Sequence, residues 1–538
     1  MRVEKQMFID GRTLLTGFGL LALLIVRLSF LHAQDITAEE YRQSEAVKQR
    51  YPDPPVAFTT PGFAPGKRDF TSHDEMMAFL RELQGKADNM SLRILGHSQE
   101  GRAIPMLVFS NSGRFATAEL LRLNRPVVFF QALQHGNEPA SGEVMLALAK
   151  DLATGPLRPL LDKITVLIVP RCNPDGAHYF TRATPRRVDI NRDHIKMDLP
   201  ETIALHRALN EFQPELVVDA HEFSVATRWI EKFGLLQFWD LMLISATNPN
   251  VPSALTQTAE NLFRRSLIAD IERAGYSHFW YYTTSYNLAD KRVSMGSTAP
   301  DIGRNAAGLQ NAISFLIESR GVGIRRESYG RRVHTHYVAI TSILRSAAEN
   351  ANEVMRVVRE TRNEVARRGA AVGPGNDIVV TTRTPTGKQK LTMIEPASGS
   401  LKEIEVEWED SLAAQPGLVR RRPYAYLMPP SFADVARRLS YSGIELRSLR
   451  TPATLEVESY QVLERRAGAT FVEGHIRNTV TTEVGLKKVM FPAGTFVYLM
   501  TQPSANLIAV ALEPESPSSF VSSGLLPVDK KGTHPSIG

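Results

Sequence analysis

His135 and Glu138 stand three residues apart in the run His-Gly-Asn-Glu, and His221 answers them far downstream. Two imidazoles and one carboxylate make up the protein ligands of a catalytic zinc whose fourth position stays open for water. The donor set suits zinc better than the harder divalent cations, and the chemistry it supports is hydrolysis. Glu318 is the candidate general base, a carboxylate that takes a proton from water and hands it to a leaving amine. Glu222, beside His221, is its rival. The helical His-Glu-x-x-His zinc motif requires a histidine at 225, however, and the chain has Val225. His178, His194 and His206 have no ligand partner at a diagnostic spacing and read as structural. His334 and His336 read as exposed or capping groups beside a helix.

The elements that must position these groups are legible in the hydrophobic pattern. Residues 126–133 form an apolar run of buried-strand type, and Pro139 stands where a following helix over 140–153 begins. Both His135 and Glu138 therefore fall in a strand-to-helix turn. Residues 215–220 are a second β-rich run ending at His221, and residues 312–317 a third ending at Glu318. Three candidate groups at the carboxyl ends of three expected strands match the place where open α/β sheets hold their ligands.

Other motifs occur in order with these: Gly96-His-Ser-Gln-Glu-Gly-Arg, Asn173-Pro-Asp-Gly and Asp189-Ile-Asn-Arg. Together they make residues 71–345 resemble the zinc metallocarboxypeptidases of the carboxypeptidase A type. The resemblance implies an α/β fold with a mixed central sheet and helices on both faces. It also implies one zinc ion held by His135, Glu138 and His221, and release of C-terminal residues from peptides. By the same resemblance Asp189 orients the first histidine ligand. Asn191 and Arg192 anchor a free carboxylate, since a guanidinium offers it two parallel donors. Arg182 and Arg186 compete to stabilise the oxyanion. Arg182 is preferred because residues 181–191 resemble the bacterial exported branch, which leaves Arg186 to substrate binding. The tyrosine that closes over the substrate in this family has no counterpart in residues 294–300, and Tyr281, Tyr282 or Tyr286 would have to substitute. The same metal site also suits an amidase acting on cell-wall peptides or acylated amino acids. A catalytically inactive binding protein of the same fold is a third reading, against which the retained Glu318 argues.

A chain of 538 residues exceeds what one core normally organises, so several domains are expected. Residues 1–33 read as a signal peptide: Arg2, Lys5 and Arg12 precede an apolar stretch over 14–30, and Leu31-His-Ala33 is a small-residue cleavage pattern. A periplasmic or secreted protein follows, with an uncleaved membrane anchor as the alternative. The leader holds four basic and two acidic residues, so its removal takes the net charge from +6 to +4. That is too mild, and too interleaved with acid, for a nucleic-acid partner. No later stretch is apolar enough to span a bilayer, and with Cys172 alone no internal disulfide forms. The expected organisation is a loop-rich lead over 34–70, a catalytic domain over 71–368, a linker over 369–377 and a smaller β-rich accessory domain over 378–538, loosely ordered from Pro514 onward.

Overall fold

The computed structural model describes residues 41–371, 373, 375–528 and 533–537; the expected signal peptide lies outside them. Its strands in chain order are β1 (Met90–His97), β2 (Ala103–Phe109), β3 (Val127–Ala132), β4 (Thr165–Val169), β5 (Leu216–Ser224), β6 (Leu236–Gln237), β7 (Leu241–Ser245), β8 (His278–Trp280), β9 (Thr283–Thr284), β10 (Val293–Ser294) and β11 (Ile313–Val322), followed by those of the tail. Eight form a mixed central sheet in the order β1-β2-β4-β3-β5-β11-β7-β8. The run β4-β3-β5-β11 is parallel, and antiparallel pairs flank it on both sides.

The continuous apolar runs have a physical reason. β3 and β4 are buried along their whole length, because helices cover both faces of the sheet. Successive side chains of β3 enter different cores. Val128, Phe130 and Ala132 join the larger one with the helices Pro139–Ala153 and Tyr329–Glu349, while Val127 and Phe129 join the other with the helix Pro200–Phe212. The helix His73–Lys86 opens on a reciprocal cap between Ser72 and Glu75, as the Ser-x-x-Glu spacing leads one to expect.

Several expectations meet a different outcome. The helical pattern over 337–368 is two helices, Tyr329–Glu349 and Ala351–Ala370, broken at Asn350. The tail after residue 377 is β-rich, yet Gln43–Gly538 forms one compact unit. The tail hairpin Thr386–Ile394/Leu401–Glu409 completes a second sheet with β6, β9 and β10. Its Leu391, Met393, Val406 and Trp408 share a core with Met242, Ile244 and Leu316 of the central sheet. Residues 514–528 are not loosely ordered: Phe520, Val521 and Leu526 are buried in the main core with the helix Ala505–Leu512. Apolar side chains scattered through a polar stretch hold it down, which a composition reading misses.

Candidate active site

The turn after β3 is shaped by close packing. Leu133 takes a left-handed conformation at φ 53°, and its N–H donates to Ser141 Oγ at 3.2 Å. Glu138 is the cap of the helix that Pro139 opens. Between the two candidate ligands sits Gly136, where a Cβ atom would lie 1.9 Å from the backbone carbon of Gly176. Backbone cannot yield there as a flexible side chain can. Gly136→Ala is therefore expected to cost about 1–3 kcal/mol of stability and to lower zinc stoichiometry, read by thermal melting and metal analysis of the purified protein.

The structure brings His135, Glu138 and His221 together, all buried. His135 Nδ1 lies 2.7 Å from Glu138 Oε1, His221 Nδ1 lies 2.9 Å from Glu138 Oε2, and the two Nδ1 atoms face each other at 3.0 Å. The opposite nitrogen of each ring meets a carboxylate, His135 Nε2 at 3.1 Å from Asp189 Oδ1 and His221 Nε2 at 2.9 Å from Asp219 Oδ1. Each ring thus lies between two carboxylates, and in His221, against the pull of burial, Asp219 and Glu138 together favour the protonated imidazole. With a cation in place of the Nδ1 proton, Asp189 and Asp219 would hold the remaining proton on Nε2 and leave the Nδ1 lone pairs to ligate. Two imidazole nitrogens and a carboxylate converge there on one buried point, the arrangement a divalent cation requires. The donor set therefore fits zinc, and each histidine has the carboxylate support typical of zinc ligands. Burial alone would raise the pKa of Glu138, but the adjacent imidazoles hold it well below the usual carboxylate range. Asp189 is likewise raised by burial and pulled further down by Arg182 and His135.

Glu318 lies beside this group because β5 and β11 run parallel with His221 and Glu318 in register. Neither residue ends its strand: both strands continue beyond, so the groups sit within the sheet's carboxyl half rather than at its limit. Burial pushes the Glu318 carboxyl up to about 7, against the pull of His221 and with the repulsion of Glu138. Glu222 points to the other face, where Arg332 Nε donates to it at 2.7 Å and the Ala140 N–H at 2.8 Å. It is occupied, and strand alternation places it away from the ligands.

Arg182 approaches from the side. Its Nη2 donates to Asp189 Oδ2 at 2.8 Å and its Nη1 lies 3.1 Å from His135 Nδ1. Asn191 is fixed in orientation because its Oδ1 accepts the Gly303 N–H at 2.7 Å, which turns its NH2 group to the His221 side, 3.4 Å from Nε2. Arg192 Nη1 donates to the Asn191 carbonyl at 2.7 Å. Arg186 is exposed and makes no hydrogen bond or ion pair to any member of the cluster among the described residues. Of the three tyrosines, Tyr282 is enclosed by Trp229, Phe279 and Trp408, and Tyr286 is exposed with Arg228 over its ring at 4.6 Å. Tyr281 is half-buried; burial first, and then the Glu318 charge, push its hydroxyl up to about 12.

Sequence reasoning missed the support beneath the site. Asp219 is one pleat before His221 on the same strand face, a spacing that could have revealed it. Gln134 Nε2 donates to Asp219 Oδ1 at 2.7 Å, and Gln134 Oε1 lies 3.0 Å from His194 Nε2. His194 Nδ1 lies 3.0 Å from His206 Nε2, whose Nδ1 lies 2.8 Å from Ser442 Oγ. His194 and His206 belong to one buried chain of polar contacts that leads from the tail to the candidate ligand His221. His336 is neither exposed nor capping. It is buried, and its Nε2 donates to the His221 carbonyl at 2.9 Å, bracing the strand. His334 is half-buried, its Nδ1 paired at 2.6 Å with the Tyr276 hydroxyl. Arg304, also unforeseen, is buried with its Nε unpartnered, and feels the charges of Glu318 and Arg192.

The family model described as "Zinc carboxypeptidase" matches residues 76–433. The chain belongs to the zinc carboxypeptidase family. This member is a zinc-dependent peptidase that hydrolyses the amide bond next to a free C-terminal carboxylate. Carboxypeptidase 2 of Trichophyton equinum is 34% identical over 489 residues, covering 89% of each chain. Carboxypeptidase 2 of Trichophyton rubrum is 33% identical with the same coverage. A match of that length must run past residue 433, so the similarity includes much of the tail. Among solved structures, carboxypeptidase A from Helicoverpa armigera shares 19% identity, covers 53% of this chain and 75% of its own, and has a TM-score of 0.41. For a metallo-carboxypeptidase from Burkholderia cenocepacia the values are 17%, 52%, 70% and 0.39. Among the described residues no helix is long and apolar enough to cross a membrane.

Proposed function

We propose that this zinc carboxypeptidase is an exported exopeptidase of a bacterial branch of the family, and that it works with the following division of labour. His135, Glu138 and His221 hold the ion, and Asp189 and Asp219 keep the two imidazoles in the tautomer that ligates. Zinc, when bound, polarises the scissile carbonyl and acidifies the attacking water. Glu318 takes the proton from that water and delivers it to the departing amine. Arg182 donates to the oxygen that gains negative charge. Asn191, through its NH2 group, and Arg192 hold the terminal carboxylate of the substrate, and Tyr281 closes over it. The observation that carries this reading is the convergence of two Nδ1 atoms and one carboxylate within hydrogen-bond distance, with Glu318 on the neighbouring strand in register with His221.

Incubating the mature protein with a peptide library, with and without a chelator, tests the assignment. Chelator-sensitive release of single C-terminal residues is the expected result. Turnover confined to cell-wall fragments would make the protein an amidase, and no turnover of either would make it a binding protein. Arg192→Met removes charge-assisted hydrogen bonds to the substrate. It should lower kcat/KM for peptides by about 10- to 100-fold, mostly through KM; steady-state kinetics showing an unchanged KM would remove Arg192 from the carboxylate site.

A further inference from the structure

The tail carries one long hairpin, Ala453–Val472 with His475–Phe491, whose tip meets the segment that begins at Asp189. The turn is two residues, Glu473 and Gly474, both left-handed at φ 49° and 82° between the paired Val472 and His475. That is the geometry of a tight hairpin turn matched to strand twist. Glu473 Oε2 accepts the backbone N–H of Asp189 at 2.7 Å. The Glu473 carbonyl accepts from Lys196 Nζ at 3.2 Å, and the same ammonium donates to the Arg192 carbonyl at 2.9 Å. Around this contact His475 pairs with Asp198, Arg477 Nη2 lies 3.5 Å from Asp301 Oδ2, and a Cβ on Gly474 would touch Val188 at 3.3 Å.

What the tip grips is the segment that carries Asn191 and Arg192. Those residues lie in a single turn of 3-10 helix, Ile190–Arg192, capped by Asp189, whose Oδ1 accepts the Asn191 N–H at 2.8 Å. A helix this short has little internal hydrogen bonding to fix it, so its orientation depends on what holds its ends. The Asp189 side chain is committed to His135, Arg182 and Asn191. Without Glu473 its backbone amide would lose its protein acceptor, and residues 189–192 would be held from one side only, by the core packing of Ile190, the Asp189 side chain and the Gly303–Asn191 bond.

We infer that Glu473 is a positioning residue: by accepting the Asp189 amide hydrogen it sets the placement of Asn191 and Arg192, and with it the preference for substrates ending in a free carboxylate. The inference rests on the proposal that Asn191 and Arg192 bind that carboxylate. It gives the tail a task in catalysis, since residue 473 reaches the site only because the hairpin is long and seated.

The test compares the zinc-loaded full chain, as wild type, Glu473→Ala and Glu473→Gln, on one peptide and on the same peptide with a C-terminal amide. In Glu473→Ala the KM for the free-carboxylate peptide should rise about tenfold, with kcat changed less than about twofold and the amidated peptide unaffected. Gln keeps an oxygen acceptor and should restore most of the preference. Lys196→Met, which loosens the same clasp from the other side, should shift the preference in the same direction and serves if Glu473→Ala fails to fold. A preference untouched by Glu473→Ala, equal losses on both substrates in step with melting temperature, or Gln behaving as Ala would each overturn the inference. A wild type that does not distinguish the two peptides would overturn both this inference and the reading of Asn191 and Arg192. A discriminating wild type with an equally discriminating Ala variant overturns only this one.

Discussion

Glu318→Gln should lower kcat by about 10²- to 10⁴-fold, the range for loss of a general acid-base group, while the protein still binds one zinc. The substitution preserves shape and leaves His135, Glu138 and His221 untouched, so metal analysis separates lost proton transfer from a damaged site. Activity near the wild-type level, or loss of zinc in step with activity, would remove Glu318 from the role of base. The pH dependence follows from the same group. Burial pushes Glu318 up to about 7 in the metal-free protein, and a bound cation draws a neighbouring carboxylate downward. A base must be ionised, so kcat/KM is expected to fall on the acid side with an apparent pKa at or below about 7. The stability effect has the opposite sense. Where the folded-state pKa exceeds that of the unfolded chain, the native state binds more protons and stability declines as pH rises between the two values. Thermal melts of metal-free wild type and Glu318→Gln should therefore diverge as pH rises from about 5 to about 8, with the variant the more stable at the upper end.

Removing zinc has the other large effect. Chelation should abolish turnover, and addition of zinc to the stripped protein should restore it. His221→Ala should abolish turnover irreversibly, because the ion loses a ligand and Asp219 loses the ring it supports. The stripped protein should also melt at a lower temperature, since an ion that binds only the folded state adds about 4 kcal/mol when its free concentration is about a thousandfold above Kd. The structure supplies the reason for both effects: the two Nδ1 atoms, 3.0 Å apart beside a buried carboxylate, form the only cluster of two imidazoles and a carboxylate among the described residues that could take the ion. Full activity after exhaustive dialysis against chelator, verified by metal analysis, would end the assignment of a zinc enzyme.

How far the site was legible depends on how far apart in the chain the interacting groups are. His135 and Glu138 are readable because both belong to one strand-to-helix turn. His221 and Glu318 are readable because each follows an apolar run of strand length. Whether these runs would be neighbours, and in which register, was not readable. Pairing of β5 with β11 puts His221 opposite Glu318, and a slip of one residue would have turned Glu318 to the other face. The orientation of Asn191 was equally hidden, because the atom that fixes it is the amide of Gly303, 112 residues away. The change of pattern after residue 377 predicts a separate accessory domain. Composition reports that strands begin at that point, and says nothing of which sheet they join. The shared core of Trp408 with Met242 and Leu316 decides that.

The sequence by itself determined the candidates: residue type and spacing offered His135, Glu138 and His221 as zinc ligands and Glu318 as base, and resemblance to the family's motifs marked Arg182, Asn191 and Arg192 for the substrate. Ligand atoms and hydrogen-bond donors are properties of single side chains and of short-range backbone geometry, so candidates of that kind are visible along the chain. Only the tertiary structure decided the arrangement that makes these groups a site. Strand register set the candidate base Glu318 beside the candidate ligand His221, Asp189 and Asp219 came to lie behind the two imidazoles, and a hairpin tip 284 residues from Asp189 took up its backbone amide. Those relations are set by packing and by the pairing of buried polar groups between distant segments. Both depend on the whole core closing together, and neither leaves a periodic trace along the chain.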